Sequence, residues 1–432
     1  MKNHIIIYNV ILFCTAVGPG AHSGRPAGCG AQCAGFLYNS YMVQLNRPNI
    51  GIFGKMNAGK SSLLNVLTGQ DTSVVAQHPG TTTDPVKKII EILDVGPVTL
   101  VDTAGVDDAS LLGEQRVKRT MESLEQADLA VLVFAGELDA YDQQLMADCT
   151  AHNIPFFLVH NKCDEQKLQA EINGVDVLEF SCRQPDIPAL LALIKKHLPK
   201  SAHAPSGILD GYVKAGEEVV LVIPVDASAP AGRLILPQVQ TIRNLLDIGA
   251  VAVCVKDTEL AAYLKTHTPA LVVTDSQAFK YVNSVVPPFV PLTSFSILFS
   301  RQKGDFDAFL SGTRAIDSLR DGDKILIMES CSHTVNKCDD IGRTKIPAWL
   351  QKYTGKKLEF TVLANLDALP ERLSQYKLAV QCGGCMVTRT QILRRVEKLK
   401  SAGVPVSNYG MTIAYCHGIF NRVTEIFRRK KC

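Results

Sequence analysis

Gly54-Lys55-Met56-Asn57-Ala58-Gly59-Lys60-Ser61 fits the pattern GxxxxGK(S/T). The apolar run Pro48-Asn49-Ile50-Gly51-Ile52-Phe53 stands before it and reads as a strand; Ser62-Leu63-Leu64-Asn65-Val66-Leu67 stands after it and reads as a helix start. A strand feeding a glycine-rich loop that opens a helix is the setting this motif needs. The glycines let the backbone close on phosphates, and the N–H groups of the helix N-terminus point at the anion. On this reading Asn57, Ala58, Gly59, Lys60, Ser61 and Ser62 line a nucleotide. Lys60 reaches the β- and γ-phosphates, and Ser61 ligands magnesium.

Working outward, His78-Pro79-Gly80-Thr81-Thr82-Thr83-Asp84-Pro85 is polar and turn-rich, as a switch loop is. Thr82 is the residue expected to bring a hydroxyl to magnesium when γ-phosphate is present. Val98 to Val101 reads as a strand that delivers Asp102-Thr103-Ala104-Gly105, a DxxG. Asp102 would hold magnesium through water, and the Gly105 N–H would sense the γ-phosphate, so that its loss releases both loops. Leu129 to Phe134 and Pro155 to Val159 read as buried strands. The second ends in Asn161-Lys162-Cys163-Asp164, an NKxD. The Asp164 carboxylate accepts from guanine N1–H and the 2-amino group; adenine lacks both donors, so GTP is selected over ATP. Val177 to Phe180 is a last strand, and Ser181-Cys182 after it would meet guanine O6 through backbone N–H groups.

Five such motifs in order, each at a strand end, resemble the small-GTPase superfamily, in its TrmE/Era-like branch, over about residues 47–200. The alternation argues a doubly wound α/β domain with nucleotide at the C-terminal ends of its strands. Val106 follows the DxxG where Ras-like enzymes carry a water-positioning glutamine. An apolar side chain cannot orient water, so intrinsic hydrolysis is expected to be slow. Asn57 matches the residue that helps hold a monovalent cation in potassium-activated relatives. The resemblance therefore implies potassium-stimulated turnover, while a simple loop-capping role for Asn57 stands beside it.

The rest of the 432 residues allow two or three domains. Hydrophobic residues at 46% supply ample core, and a net charge of +3 gives no whole-chain case for nucleic acid. Thirteen cysteines, beside a nucleotide site that works in a reducing compartment, point to metal or redox chemistry before disulfides. Residues 1–45 are a leader of uncertain status. Its apolar run from Ile5 to Val17 is short for a membrane span and fits a disordered leader, an organelle-targeting segment, or a start displaced from Met42. The expected location is cytoplasmic, or an organelle if that leader is a targeting segment.

The expected division is a GTPase domain over 46–200, a linker, a middle α/β domain over 207–292, and a last α/β domain over 300–432. The middle unit shows no catalytic constellation and reads as a dimerisation module. In the last unit, Lys324 to Met328, Leu358 to Leu363, Leu378 to Val380 and Val404 to Val406 read as strands. Ile341 to Tyr353, Leu369 to Tyr376 and Arg389 to Ala402 read as helices between them, with a final helix from Met411. Cys331-Ser332-His333 follows its first strand, and Cys382-Gly383-Gly384-Cys385 its third. Loops after parallel strands share one sheet edge, so the two clusters converge. Three thiolates with His333 as a fourth ligand suit a 4Fe-4S cluster, and equally a structural zinc. A redox CxxC leaves Cys331 and His333 unexplained, and inert buried cysteines are the bland alternative.

A TrmE/Era-like GTPase domain, a middle α/β domain and a C-terminal CxH…CxxC together resemble the HydF family of FeFe-hydrogenase maturation GTPases, over about residues 47–427. The family pattern has CxH and then HCxxC. This chain has Cys331-x-His333 and then Cys382-x-x-Cys385, with Gln381 where the histidine stands. The resemblance implies 4Fe-4S ligation by Cys331, Cys382 and Cys385, with His333 as one option for the fourth position. It implies a homodimeric scaffold that receives a diiron precursor from the radical-SAM maturases HydE and HydG and passes it to the FeFe-hydrogenase apoprotein. No nucleic acid or membrane enters that reading. The alternative is an Era-like, RNA-associated GTPase with a structural zinc. Near-neutral charge and the lack of a KH-type module stand against it.

Overall fold

The computed structural model describes residues 5–7, 10–12, 47–68, 86–92, 95–102, 120–168, 172, 174–199, 207–225, 234–330, 340–364, 367–385 and 387–428. Two short strands come first, β1 (Ile5–Ile7) and β2 (Val10–Leu12). The chain then forms two compact units. One comprises Leu45–Pro205 with Val387–Arg394, and the other comprises the remainder.

The first of these holds a six-stranded sheet: β3 (Asn49–Phe53), β4 (Val86–Ile92), β5 (Gly96–Asp102), β6 (Leu129–Phe134), β7 (Phe156–Asn161) and β8 (Val177–Phe180). Their order is β4-β5-β3-β6-β7-β8, parallel except for β4, which runs antiparallel to β5 at the edge. The Leu-Ala-Val-Leu-Val-Phe run of β6 is buried throughout, as a central strand covered on both faces must be. Helices Lys60–Thr68, Ala140–Ala151 and Ile187–His197 cover the sheet, with a further helix over 120–126. One face packs Ile50, Ile52, Leu63, Val131, Phe157 and Ile194 into a core. The other face packs Phe53, Leu124, Leu132, Leu145 and Leu158. β4 was not expected from sequence. Its Lys87-Lys88-Ile89-Ile90-Glu91 carries charge that suits a solvent-facing edge and hides it from an apolar-run reading.

The second unit contains two sheets. In one, β9 (Glu218–Val222), β10 (Val251–Val255), β11 (Leu271–Thr274) and β12 (Leu292–Ser294) are parallel, and β2 joins the β10 edge with β1 outside it. Leu209, Leu221, Leu245, Val273, Phe295 and Phe299 lie in its core. In the other, β13 (Lys324–Met328), β14 (Glu359–Leu363), β15 (Tyr376–Gln381) and β16 (Val406–Asn408) run parallel in the order β14-β13-β15-β16. The fold is thus α/β throughout, a P-loop domain followed by parallel-sheet domains, as the sequence predicts.

The expected helix from Leu369 to Tyr376 does not form. Only Leu373–Gln375 makes a single tight turn, and Tyr376 already begins β15. Pro370 has no N–H and pushes Leu369 out of helical geometry, which leaves too few residues for a nucleus. The expected helix from Ile341 opens with a π-helical turn, Ile341–Lys345, before the α-helix Ile346–Thr354. Among the described residues no helix is long and apolar enough to cross a membrane.

Candidate functional site

The loop after β3 brings four of the nucleotide motifs together. Gly59 has φ +96°, and a Cβ there would stand 2.0 Å from Asn161 Nδ2, so only glycine fits. That approach exists because Asn161, buried at the end of β7, donates its amide to Ala58 O at 2.9 Å. The NKxD asparagine therefore holds the phosphate loop in shape. Its Oδ1 accepts from Cys182 Sγ at 3.4 Å, which ties in the segment after β8. Lys60 is buried and its Nζ donates to Lys55 O at 2.6 Å, arched over the loop it would serve. Asn57 is exposed, with φ +63°.

Ser61 and Asp102 meet at the mouth of the loop. The Ser61 hydroxyl donates to Asp102 Oδ2 at 2.8 Å, while Asp102 Oδ1 is buried without a hydrogen-bond partner. A buried orphan acceptor costs free energy unless something claims it. A hydrated divalent cation between a serine hydroxyl and this carboxylate meets that need, so the residues fit magnesium. Burial pushes the Asp102 carboxyl above the ordinary value, against the lowering effects of the Ser61 hydroxyl, Lys60 and Lys88.

Asp164 sits in the exposed loop after β7. Its carboxyl is held below the ordinary range, first by the Ser181 hydroxyl and further by Arg183. Arg183 Nη1 lies 3.0 Å from Asp164 Oδ2, and its Nη2 lies 3.1 Å from Glu165. The Asp164 carboxylate is thus paired with an arginine that sequence reasoning did not single out. Lys162 takes φ +63° between Asn161 and that loop. Ser62 is exposed on the helix start. Thr82 and Gly105 lie outside the described residues, as does Val106.

The cysteine site occupies the edge where β13 and β15 end side by side. The register pairs Met328 with Gln381, and Cys382 N–H donates to Met328 O at 3.0 Å. Cys382 Sγ accepts the Ser330 N–H at 3.0 Å and the Gly384 N–H at 3.4 Å. Two backbone donors on one sulfur suit a thiolate ligand better than a neutral thiol. Gly384 takes φ +64°, which turns the chain back toward its own cysteine. Gln381 is buried. Its Nε2 donates to Ser330 Oγ at 3.0 Å and to Cys382 O at 3.3 Å, and its Oε1 has no hydrogen-bond partner.

Beneath the loop, Lys303 ends the helix Phe295–Lys303 at 1% exposure. Its Nζ donates to Gly384 O at 2.9 Å and reaches Cys385 O at 3.4 Å. Burial pulls its ammonium down to about 8, and the neighbouring Cys385 and Cys382 oppose that fall. Glu329 accepts from Arg343 Nε and Nη2, both at 3.1 Å, on its Oε2. Burial raises its carboxyl. Cys331 and His333 lie outside the described residues. Among those that are described, no three His, Cys, Asp or Glu side chains gather as a metal site. Cys382, with N–H donors on its sulfur, and Cys385, on the same turn above a cation, still fit an anionic metal–sulfur group. Lys303 and Ser330 escaped sequence reasoning: one reads as an ordinary last-turn lysine, the other as a loop serine.

Three family models match the chain: "50S ribosome-binding GTPase" over residues 49–162, "Hydrogen maturase F dimerization domain" over 208–304, and "Hydrogen maturase F tetramerization domain" over 307–426. The last two together span half of the chain. Among curated proteins it is similar to the tRNA modification GTPase MnmE of Natranaerobius thermophilus, 35% identical over 178 residues, which covers 39% of this chain and 36% of that protein. It is also similar to MnmE of Histophilus somni, 36% identical over 160 residues, which covers 35% of this chain and 34% of that protein. The chain spans about a third of the length of these relatives. Among solved structures it is similar to Aquifex aeolicus Era bound to GDP and AlF4⁻, with 18% identity and a TM-score of 0.31, covering 56% of this chain and 99% of that one.

Proposed function

This chain belongs to the hydrogen maturase F family and carries a GTPase domain, and we propose that it is a GTP-switched scaffold of FeFe-hydrogenase assembly that holds a 4Fe-4S cluster and hands a diiron precursor to the hydrogenase apoprotein. Its residues divide into a GTPase domain over 46–200, a middle dimerisation domain over 207–292 and a cluster domain over 300–432. The family's dimerization and tetramerization domains make it an oligomer. HydE and HydG, which would supply the precursor, and the apoprotein, which would take it, are the partners this role requires.

In the nucleotide site Lys60 binds the β- and γ-phosphates. Ser61 and Asp102, already in contact, would hold magnesium, Ser61 directly and Asp102 through water, and Asp164 would read the guanine edge once Arg183 yields it. Ser181 and Cys182 close over the base. Thr82 would bring its hydroxyl to magnesium when γ-phosphate is present, the Gly105 N–H would sense that phosphate, and Asn57 would hold potassium, whose charge would stand in for an arginine finger. Val106 cannot position water, so turnover is slow without that cation. At the second site Cys331, Cys382 and Cys385 would hold the cluster, with the fourth position open to His333, to water or to the incoming cargo. When bound, the cluster supplies an iron on which the diiron cargo can dock. Ser330 and Gly384 hold the Cys382 sulfur in a thiolate-favouring place, and Gln381, turned toward Ser330, keeps the loop closed.

The observation that carries this reading is Cys382 Sγ seated between two backbone donors at the β13–β15 edge, within the span of a maturase domain. Anaerobic reconstitution with iron and sulfide, followed by metal analysis and EPR of the reduced protein, tests it. A 4Fe-4S signal lost in Cys382→Ser and Cys385→Ser is the expected result. Stoichiometric zinc without a cluster would sink it and favour the RNA-associated alternative.

A further inference from the structure

A buried ammonium is costly to keep, because leaving water forfeits most of its solvation. Lys303 is kept at 1% exposure at the end of its helix. Part of what holds it is local. The helix C-terminus presents its carbonyl dipoles to a cation, and the Phe299 ring centroid lies 5.8 Å from Nζ. Two of its hydrogen bonds, however, go to the CxxC loop, at Gly384 O and Cys385 O. The ammonium therefore stands under the turn that carries Cys382 and Cys385. The side chain thus brings a positive charge, and not only a donor, to that turn.

We propose that Lys303 is a positioning residue whose fixed charge sets how readily a cluster held at Cys382 and Cys385 accepts an electron. This rests on the cluster reading above. Three thiolates leave a 4Fe-4S group with net negative charge, and reduction adds one more negative charge. A cation buried beside it stabilises the reduced form more than the oxidised one, which raises the potential; net charge and hydrogen bonds to the cluster are the recognised levers on that quantity. In the step itself one electron enters from a low-potential one-electron donor. No bond is made or broken, and Lys303 keeps its proton.

Lys303→Gln, which keeps a donor for the two carbonyls and loses the charge, is the decisive variant; Lys303→Arg restores the charge. All three proteins are reconstituted anaerobically, assayed for iron and sulfide, melted by circular dichroism, and titrated with dithionite under EPR. The expected result is equal iron in all three, with a reduction equilibrium at least tenfold less favourable in Lys303→Gln, equivalent to about 59 mV for one electron, and close to wild type in Lys303→Arg. Equal potentials in wild type and Lys303→Gln would overturn the proposal and leave the cluster reading intact. So would a Lys303→Gln protein that melts like wild type yet takes up no iron, because that places Lys303 in loop assembly. If Lys303→Gln melts early, Lys303→Met is read by the same criteria. A wild-type protein that binds no iron sinks the cluster reading first, and this with it.

Discussion

Gly59→Ala tests whether the phosphate loop is held by Asn161. Gly59 stands at φ +96°, where a Cβ would meet Asn161 Nδ2 at 2.0 Å. In the free protein the loop relaxes away from this geometry, so the cost falls on nucleotide binding, which needs it. A left-handed backbone costs an alanine roughly 1–2 kcal/mol, and the displaced amide loses its bond to Ala58 O, worth about 1 kcal/mol. The total of about 2–3 kcal/mol corresponds to a loss in affinity of about 30- to 150-fold. Titration with a fluorescent GDP analogue in magnesium measures it, and a thermal melt checks that the fold survives. Asn161→Ala alone loses the amide bond, an effect of about fivefold, together with the weaker Cys182 Sγ contact on its Oδ1. In the double variant the same bond cannot be lost twice and the clash is gone. The penalties should then fall short of additive by about 1 kcal/mol or more. Strict additivity would refute the view that Gly59 and Asn161 act through one contact, and an unchanged affinity in Gly59→Ala would refute the strain.

Three further outcomes follow from single contacts. Arg183→Ala uncovers Asp164, and guanine-nucleotide affinity should rise, by no more than about fivefold for so exposed a pair; weaker binding would show that Arg183 serves the nucleotide instead. Asp128 is buried, accepting from Asn49 N–H at 2.7 Å and the Thr388 hydroxyl at 3.0 Å, yet burial still raises its carboxyl. A raised carboxyl contributes stability below the ordinary aspartate range and loses it as pH rises through the raised value. The urea-midpoint advantage of wild type over Asp128→Asn should therefore shrink as pH rises above the ordinary aspartate value of about 4, and a constant difference would count against it. His160 is fully buried against Phe134, neither ring nitrogen has a hydrogen-bond partner, and Glu179 stands 3.8 Å from Nδ1. His160→Leu should be neutral or stabilising by up to about 1 kcal/mol in urea unfolding; a marked loss would mean the ring is held for a purpose.

The nucleotide site was legible because its chemistry is local. A phosphate loop, a DxxG aspartate and an NKxD each occupy a few consecutive residues at the end of an apolar run, and a run such as β6 is apolar at every position. What escaped was set by distance or by composition. Lys303 meets Gly384 across a long stretch of chain, and its own neighbourhood, a helix end, is where lysines ordinarily sit. Arg183 on Asp164 joins two loops that sequence places apart. β4 carries lysines and a glutamate because it lies at an edge, so burial never imposed an apolar pattern on it. The missed break at Pro370 was legible, since the residue before a proline avoids helix; a run of leucines around it masked the signal.

Both sites lie where parallel strands end, yet the side chains there give them opposite polarity. After β3 and β5 the unsatisfied group is an acceptor, Asp102 Oδ1, with a hydroxyl beside it. After β13 and β15 the converging groups are donors: Ser330 N–H and Gly384 N–H on one sulfur, Gln381 Nε2 nearby, and the Lys303 ammonium under the turn. The first set suits a hard cation with its waters; the second suits a soft, anionic metal–sulfur group. Topology supplies the edge and leaves the ligand open. The carboxylate after β13, Glu329, is taken up by Arg343, and a thiolate cluster at Asp102 would face a carboxylate of its own sign. The polar groups after each pair of strands, and not the shared topology, therefore decide what each edge can hold.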